Sequence, residues 1–234
     1  MRYSRQELFI GKAGQKKLLK SKVAVIGIGG LGTIVSEQFL RAGIGKIILF
    51  DNDKVELSNL QRQSLFDEKD IGKYKTSAAI KKLKLINSKI NLQEHKERIT
   101  EKNIQNLLKD KIELIVDCTD NIESRKILND YSNKTKIPVV FCGVAGSKGF
   151  LMVKTQKTPC FECVFPYFSK TSKTDNSSNK GIITPLTYFA ASLQAAEAMK
   201  ILLGKEFTKE LVLFDILSGK IEHIKIKKRK GCCR

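Results

Sequence analysis

Val23-Ala24-Val25-Ile26-Gly27-Ile28-Gly29-Gly30-Leu31-Gly32 is the stretch on which the fold of this chain turns. A short apolar run ends in glycines, as a buried strand does on reaching a tight turn. Apolar positions then recur at helical spacing from Leu31 to Ala42, closed by Gly43, and Lys46 to Phe50 (KIILF) is a second buried strand ending at Asp51. Strand, helix and parallel strand make a βαβ unit, with the right-handed crossover that a parallel pair requires. Gly27, Gly29 and Gly32 fit G-x-G-x-x-G in that context, and Asp51 follows roughly 20 residues on. Glycines let the backbone approach phosphates, the helix start offers unpaired N–H groups, and an acid at the second strand can accept from ribose hydroxyls. The fingerprint predicts a nucleotide without saying which.

Beyond this unit the alternation continues. Thr76 to Ile86 reads as a helix, Asn91 to Ile99 as a weaker strand, Ile112 to Cys118 as a strong strand, Ile122 to Ser132 as a helix and Pro138 to Val144 as a buried strand. The pattern predicts an α/β fold with a doubly wound, Rossmann-like, mostly parallel sheet over a nucleotide-binding half spanning residues 20–148. After Gly149 the pattern changes. Phe150 to Lys154, Leu211 to Phe214 and Glu222 to Ile226 read as strands separated by turns, which predicts antiparallel C-terminal strands on one edge of the sheet in a second half, 149–234. Between them, Ser169 to Lys180 is polar and reads as a loop, while Pro185 to Leu203 is a long apolar helix starting at a proline. No linker composition interrupts residues 1–234, so a single domain is expected.

The 43 basic against 24 acidic residues give a formal charge of +19, which favours an anionic partner. The tail from Lys220 to Arg234 is especially basic. MRYSRQELFIGKAG lacks the apolar core of a signal peptide and no run is long enough to span a bilayer, so a cytoplasmic protein with no membrane association is expected. The six cysteines then read as core residues, metal ligands or reactive thiols before disulfides. Cys118 and Cys142 lie inside apolar strands and read as core.

The segment after the second strand separates one nucleotide from another. Asp51 to Gln63 (DNDKVELSNLQRQ) brings Arg62, and Lys73 and Lys75 follow beyond Gly72. A nicotinamide dehydrogenase has no use for those cations, whereas a triphosphate needs several to offset its charge, so the pattern points to ATP rather than NAD. Asp117-Cys118-Thr119-Asp120-Asn121 closes a central strand at the end where doubly wound folds bind ligands. Asp120 reads as a ligand for Mg2+, which takes one or two carboxylates and substrate phosphates, or as the N-cap of the helix from Ile122. Asp117 reads as structural. Cys160-x-x-Cys163, in a turn after Pro159, has the spacing of half a zinc knuckle.

RYSRQ at Arg2 to Gln6, GIGGLG at Gly27 to Gly32, the Asp51 to Gln63 run, Lys75, DCTDN, CFEC at Cys160 to Cys163 and SLQAAEAMKILLG from Ser192 together resemble the ThiF/MoeB/HesA family, relatives of ubiquitin-activating enzymes. The resemblance covers nearly the whole chain. It implies an adenylyltransferase that uses ATP to activate the C-terminal glycine carboxylate of a ubiquitin-like sulfur-carrier protein ending in Gly-Gly, releasing pyrophosphate. Carried over residue by residue, it implies nucleotide binding by Gly27, Gly29, Gly30, Gly32, Asp51, Asp53, Ser58, Asn59, Leu60, Gln61, Arg62, Lys75, Asp120 and Asn121. Arg62, Lys75, Asp120 and Arg5 would be the catalytic set, with Arg5 reaching the ATP site of the other subunit of a homodimer. Structural Zn2+ would be held by Cys160 and Cys163 with Cys232 and Cys233, where the family has a second C-x-x-C and this chain has adjacent thiols, so that either both tail thiols ligate or one does and water or another side chain completes the set; the alternative is a metal-free knuckle or a redox-sensitive thiol cluster.

Some relatives carry a transfer cysteine where this chain has Ser177, so activation alone is expected, with sulfur supplied by a separate donor protein. The mechanism needs no general base, because a C-terminal carboxylate is already ionised at neutral pH. His95 and His223, the only histidines, are accordingly read as exposed and non-catalytic. The rival readings are a tRNA threonylcarbamoyladenosine dehydratase, a peptide-antibiotic adenylating enzyme, a silent nucleotide-binding module and a nicotinamide enzyme. The knuckle and the forms SNLQRQ and DCTDN favour the carrier branch, and nucleic acid is not the expected partner.

Overall fold

The computed structural model describes residues 2–109, 111–166 and 181–229. The glycine-rich stretch behaves as its pattern demands. β1 (Lys22–Ile26) runs into the glycines, α2 (Gly30–Ala42) leaves them and ends at left-handed Gly43, and β2 (Lys46–Phe50) pairs with β1 in parallel, Val23 opposite Ile47 and Ile26 opposite Phe50. α3 (Lys75–Ile86) leads to β3 (Asn91–His95), parallel to β2, and the short α4 (Ile104–Leu107) precedes β4 (Leu114–Asp117), which returns to the other side of β1. α5 (Ile122–Thr135) then leads to β5 (Val139–Ala145), parallel to β4.

From there the chain folds back. β6 (Lys148–Lys154), β7 (Leu211–Asp215) and β8 (Lys220–Ile224) add antiparallel, giving one eight-stranded sheet in the order β3-β2-β1-β4-β5-β6-β7-β8 that runs through both halves of the chain. The expected architecture stands, with boundary corrections. The third strand stops at His95 rather than Ile99, the fourth is trimmed to Leu114–Asp117, and the last lies at Lys220–Ile224, where every residue is exposed.

Apolar side chains fill both faces of the sheet. One face packs Val23, Val25, Leu49, Val116 and Cys142 against the helices that carry Phe39, Leu83 and Ala191; the other packs Ala24, Ile26, Ile115 and Phe141 against Ile104, Leu128 and Phe161. α7 (Thr184–Leu203), with Pro185 in its first turn and left-handed Gly204 after its last, lays Ala190, Ala191, Ala195 and Ala198 into the first of these. Small residues there let the helix come close to α2 and β5. The helix also buries Gln194, whose amide nitrogen donates to the carbonyls of Asp117 at 2.7 Å and Val140 at 3.0 Å and whose oxygen accepts from the Cys118 thiol at 3.5 Å.

An element the sequence patterning did not reveal opens the fold. α1 (Ser4–Lys20) is kinked at Gly11 (φ 72°) and buries only Gln15 and Leu18, while Leu8 and Phe9 face outward. Gln6 and Gln15 both donate to the carbonyl of Ala42, capping the end of α2.

Candidate active site

The carboxyl ends of β1, β2 and β4 open onto a cavity of about 1040 Å3. That is the crevice where a doubly wound sheet binds ligands, on either side of the strand at which the order reverses. Gly27 turns out of β1 at φ 91°, and a Cβ there would lie 2.8 Å from the carbonyl oxygen of Cys118. Gly32 lies beneath the loop rather than on the cavity wall: a Cβ on it would sit 1.9 Å from the oxygen of Gly27, so only glycine lets α2 start this close to β1. Gly27, Gly29 and Gly30 line the cavity.

Asp51 and Asp53 stand at the end of β2. Asp51 accepts from the backbone N–H of Ile28 in the glycine loop at 2.7 Å and from that of Asp53 at 2.8 Å. Burial pushes its carboxyl above the ordinary aspartate range, opposed by the charge of Lys75 and by those two N–H groups. Lys75, the first residue of α3, is buried and donates to Asp53 at 2.8 Å. A carboxylate able to accept from a sugar thus lies next to an ammonium sealed into the wall.

Residues 57–63 form the opposite rim. A short helical turn, Leu57–Asn59, is closed by reciprocal side-chain bonds of Glu56 and Asn59. Arg62 donates to the carbonyl of Ser58 at 3.1 Å, and Gln61 donates to the Thr184 hydroxyl at 2.8 Å, tying the turn to the start of α7. Asn59, Gln61, Arg62 and Gln63 line the cavity. Ser58 and Leu60 do not: Ser58 offers its carbonyl to Arg62, and Leu60 packs on the core.

The third wall follows β4. Asn121, not Asp120, caps α5, accepting from the N–H of Ser124 at 2.9 Å, which replaces the capping alternative for Asp120. Asp120 is exposed on the cavity wall and makes no hydrogen bond or ion pair among the described residues. Asp117 is structural, as its position in the strand implied. Fully buried, it accepts from both the N–H and the hydroxyl of Thr119 and from Arg125 Nε at 3.1 Å. Burial raises its carboxyl above the usual range, with the Arg125 charge opposing. Arg125 also donates to the carbonyls of Thr119 at 2.7 Å and Cys142 at 3.1 Å, and its guanidinium lies 5.3 Å from the Phe150 ring centre. Sequence reasoning passed over it. The available signal was an arginine one turn into α5, whose side chain points back toward the helix start and so toward the strand end.

Arg5 lies exposed on α1 and off the cavity wall of its own chain. Neither histidine lines the cavity. His95 is half-buried rather than exposed, its ring stacked at 4.7 Å on Phe50, and His223 is exposed on β8. Cys118 and Cys142 are core residues whose thiols burial pushes up, that of Cys142 to about 12.

Cys160 is buried at the N-cap of a short helix, α6 (Phe161–Val164), and Cys163 is buried within it, rather than both in a plain turn, with their sulfurs 3.7 Å apart. That separation matches the edge of a tetrahedron with zinc–sulfur bonds of about 2.3 Å, so the pair fits half of a zinc site. The backbone N–H of Arg229 donates to Cys163 Sγ at 3.4 Å, which brings the tail to the knuckle three residues of chain before Cys232. Cys232, Cys233 and Ser177 lie outside the described residues, and no group of three metal-ligating side chains occurs among those described. No helix among them is long and apolar enough to cross a membrane.

Comparison with known proteins agrees with this geometry. The family model described as ThiF family matches residues 3–234. The sulfur carrier protein ThiS adenylyltransferase of Bacillus subtilis (strain 168) is 40% identical over 220 residues, 92% of this chain; the chain spans 65% of that relative's length. The Escherichia coli (strain K12) protein of the same name is 35% identical over 237 residues, 99% of this chain and 93% of its own. Among solved structures, E. coli MccB with ATP superposes with a TM-score of 0.84 at 26% identity, over 99% of this chain and 73% of that one.

Proposed function

The chain belongs to the ThiF family, and from that membership we propose that it adenylylates the C-terminal glycine carboxylate of a ubiquitin-like sulfur-carrier protein. One observation carries the reading furthest. A glycine loop, the cationic side chains of Arg62 and Lys75 and the Asp120 carboxylate, which has no partner among the described residues, converge on one cavity that none of the described histidines lines. Such a cavity offers cations to offset phosphate charge and carries no histidine base, and attack by an already ionised carboxylate needs none.

Asp51 would hold the ribose of ATP, and Gly29, Gly30, Arg62 and Lys75 its phosphates. A carboxylate oxygen of the carrier attacks the α-phosphorus, the bond from that phosphorus to the bridging oxygen breaks, and pyrophosphate leaves. No proton moves. Arg62 and Lys75 offset the charge that builds on the phosphates and bring two anions together. Asp120 and the phosphates would hold Mg2+, which when bound neutralises part of that charge. Arg5, outside its own cavity, acts in the site of the partner subunit of a homodimer. Cys160 and Cys163, with Cys232 and Cys233 of the tail, would hold structural Zn2+. A separate donor protein supplies sulfur.

Carrier-dependent ATP–pyrophosphate exchange is the test, with bulk tRNA as the competing substrate. Exchange that requires a Gly-Gly-terminated carrier and disappears in well-folded Arg62→Ala and Asp120→Ala supports the reading. ATP cleavage that depends on tRNA instead, or exchange undiminished in both variants, refutes it.

A further inference from the structure

Gln63 ends the rim turn, its backbone N–H bonded to the carbonyl of Asn59 at 3.0 Å. The residue is only 3% exposed, yet it lines the cavity. It leans over the glycine loop beside Arg62: a Cβ placed on Gly29 would lie 3.8 Å from Gln63 Nε2, and one on Gly30 would lie 3.5 Å from Arg62 Cγ. The backbone of this turn is held, so the two side chains enter the cavity together.

Alone among the side chains on the cavity wall, Gln63 has a buried polar atom with no partner among the described residues. Its Oε1 is buried without a hydrogen bond, and no hydrogen bond of its Nε2 occurs among the described residues. Folded proteins leave few buried polar groups in that state, and a hydrocarbon side chain would fill the space more cheaply. The other glutamine buried nearby shows the contrast, because Gln194 makes three hydrogen bonds and knits α7 to β4 and β5. Gln63 is therefore not placed there for stability.

The chemistry of the cavity says what completes it. Phosphate oxygens only accept, and the nitrogen end of a primary amide only donates. A half turn about the last side-chain bond exchanges nitrogen and oxygen, so Nε2 can always be the end presented. We propose that Gln63 is a further nucleotide-contacting residue, its Nε2 donating to a phosphate oxygen of ATP over Gly29. This rests on reading the cavity as an ATP site. Gln63 differs from Arg62 and Lys75 in adding direction without charge: it extends the row of uncharged loop N–H donors, and so fixes where the phosphates lie without altering the charge they must balance.

Two variants and two readouts decide it. Gln63→Met keeps length and packing but cannot donate; Gln63→Glu keeps shape but turns a repelling carboxylate toward phosphate. Purified full chain is melted without nucleotide and titrated calorimetrically with magnesium ATP. The expected result is that Gln63→Met melts no lower than wild type, having lost no protein partner, while its ATP dissociation constant rises roughly 10- to 100-fold, the effect of one hydrogen bond to a charged acceptor. Gln63→Glu should bind more weakly still. Wild-type affinity in Gln63→Met, or a lowered melting temperature with unchanged affinity, overturns the proposal and leaves Gln63 a filler. Failure of the wild-type protein itself to bind ATP overturns instead the reading of the cavity, and this assignment with it.

Discussion

Lys75→Met separates what the site does for stability from what it does for catalysis. The ammonium is paired with Asp53, but the two partners sit in different media: the Lys75 side chain is 9% exposed and that of Asp53 59%. Removing the lysine leaves Asp53 in water, where a carboxylate needs no partner, and methionine fills the space of the buried stem. A pair with one half-solvated member contributes on the order of 0–1 kcal/mol, so loss of the Asp53 pair should change the unfolding free energy by no more than about that, with the loss of the charge that opposes burial of Asp51 adding to it. The substrate complex is a different matter. A unit charge about 4 Å from a phosphate interacts by about 4 kcal/mol at an effective dielectric of about 20, and the open mouth of the cavity roughly halves this. A loss of roughly 2–4 kcal/mol of transition-state stabilisation slows the reaction about 30- to 1,000-fold. Carrier-dependent pyrophosphate exchange, normalised to folded protein by thermal melting, is the assay. Exchange within about threefold of wild type would refute the placement of Lys75 at the phosphates. A melting transition collapsed in proportion to the activity would show instead that the lysine holds the fold.

Gln194→Leu should do the reverse. It removes two buried hydrogen bonds to carbonyls that keep their β4–β5 ladder partners, at about 0.5–1.5 kcal/mol each, so denaturant unfolding should report a loss of roughly 1–3 kcal/mol, and an unchanged midpoint would show that the bonds are not worth their geometry. For the cysteine knuckle, elemental analysis of the wild-type chain should find one zinc per chain, lost in Cys160→Ser. A metal-free wild-type protein would reduce Cys160 and Cys163 to packing.

The glycine loop, the parallel strands and α7 were legible because each repeats a physical requirement over several residues: a buried strand needs an apolar run, a close backbone approach needs glycine, a buried helix needs small apolar positions. α1 was not, because it buries little beyond Gln15 and Leu18 and exposes Leu8 and Phe9, so no apolar period marks it. The same division runs through the site. Asp51, Arg62, Lys75 and Asp120 stand in local patterns whose chemistry can be named from residue type. Gln63 and Gln194 act across long separations in the chain, on a loop or on carbonyls that only the folded sheet brings to them, whereas Arg125 reaches Asp117 and Thr119 a few residues upstream through the direction its helix gives the side chain. His95 fails for a similar reason: its partner is Phe50, aligned with it by the β2–β3 register rather than by proximity in the chain.

The place where the sheet departs from the dinucleotide pattern bears on the chemistry. A dinucleotide fold repeats the mononucleotide half, so that a second run of parallel strands and crossover helices faces the first across the crevice and seats the nicotinamide. Here only β4, α5 and β5 begin that repeat. At Gly146 the chain turns back, and β6, β7 and β8 continue the sheet antiparallel. The far wall of the cavity is consequently a hairpin surface, Val144, Lys148, Phe150 and Leu213, in place of a second nucleotide half. One side of the crevice keeps the donors and acceptors for a single nucleotide, while the other is left to strands and to residues near the start of α7. A hydride donor would have its nicotinamide end unsupported there. An extended peptide bringing a carboxylate to the α-phosphate would find a wall of strand backbone and apolar side chains along its approach, which is why the truncated repeat weighs as heavily against a nicotinamide enzyme as the cations at Arg62 and Lys75 do.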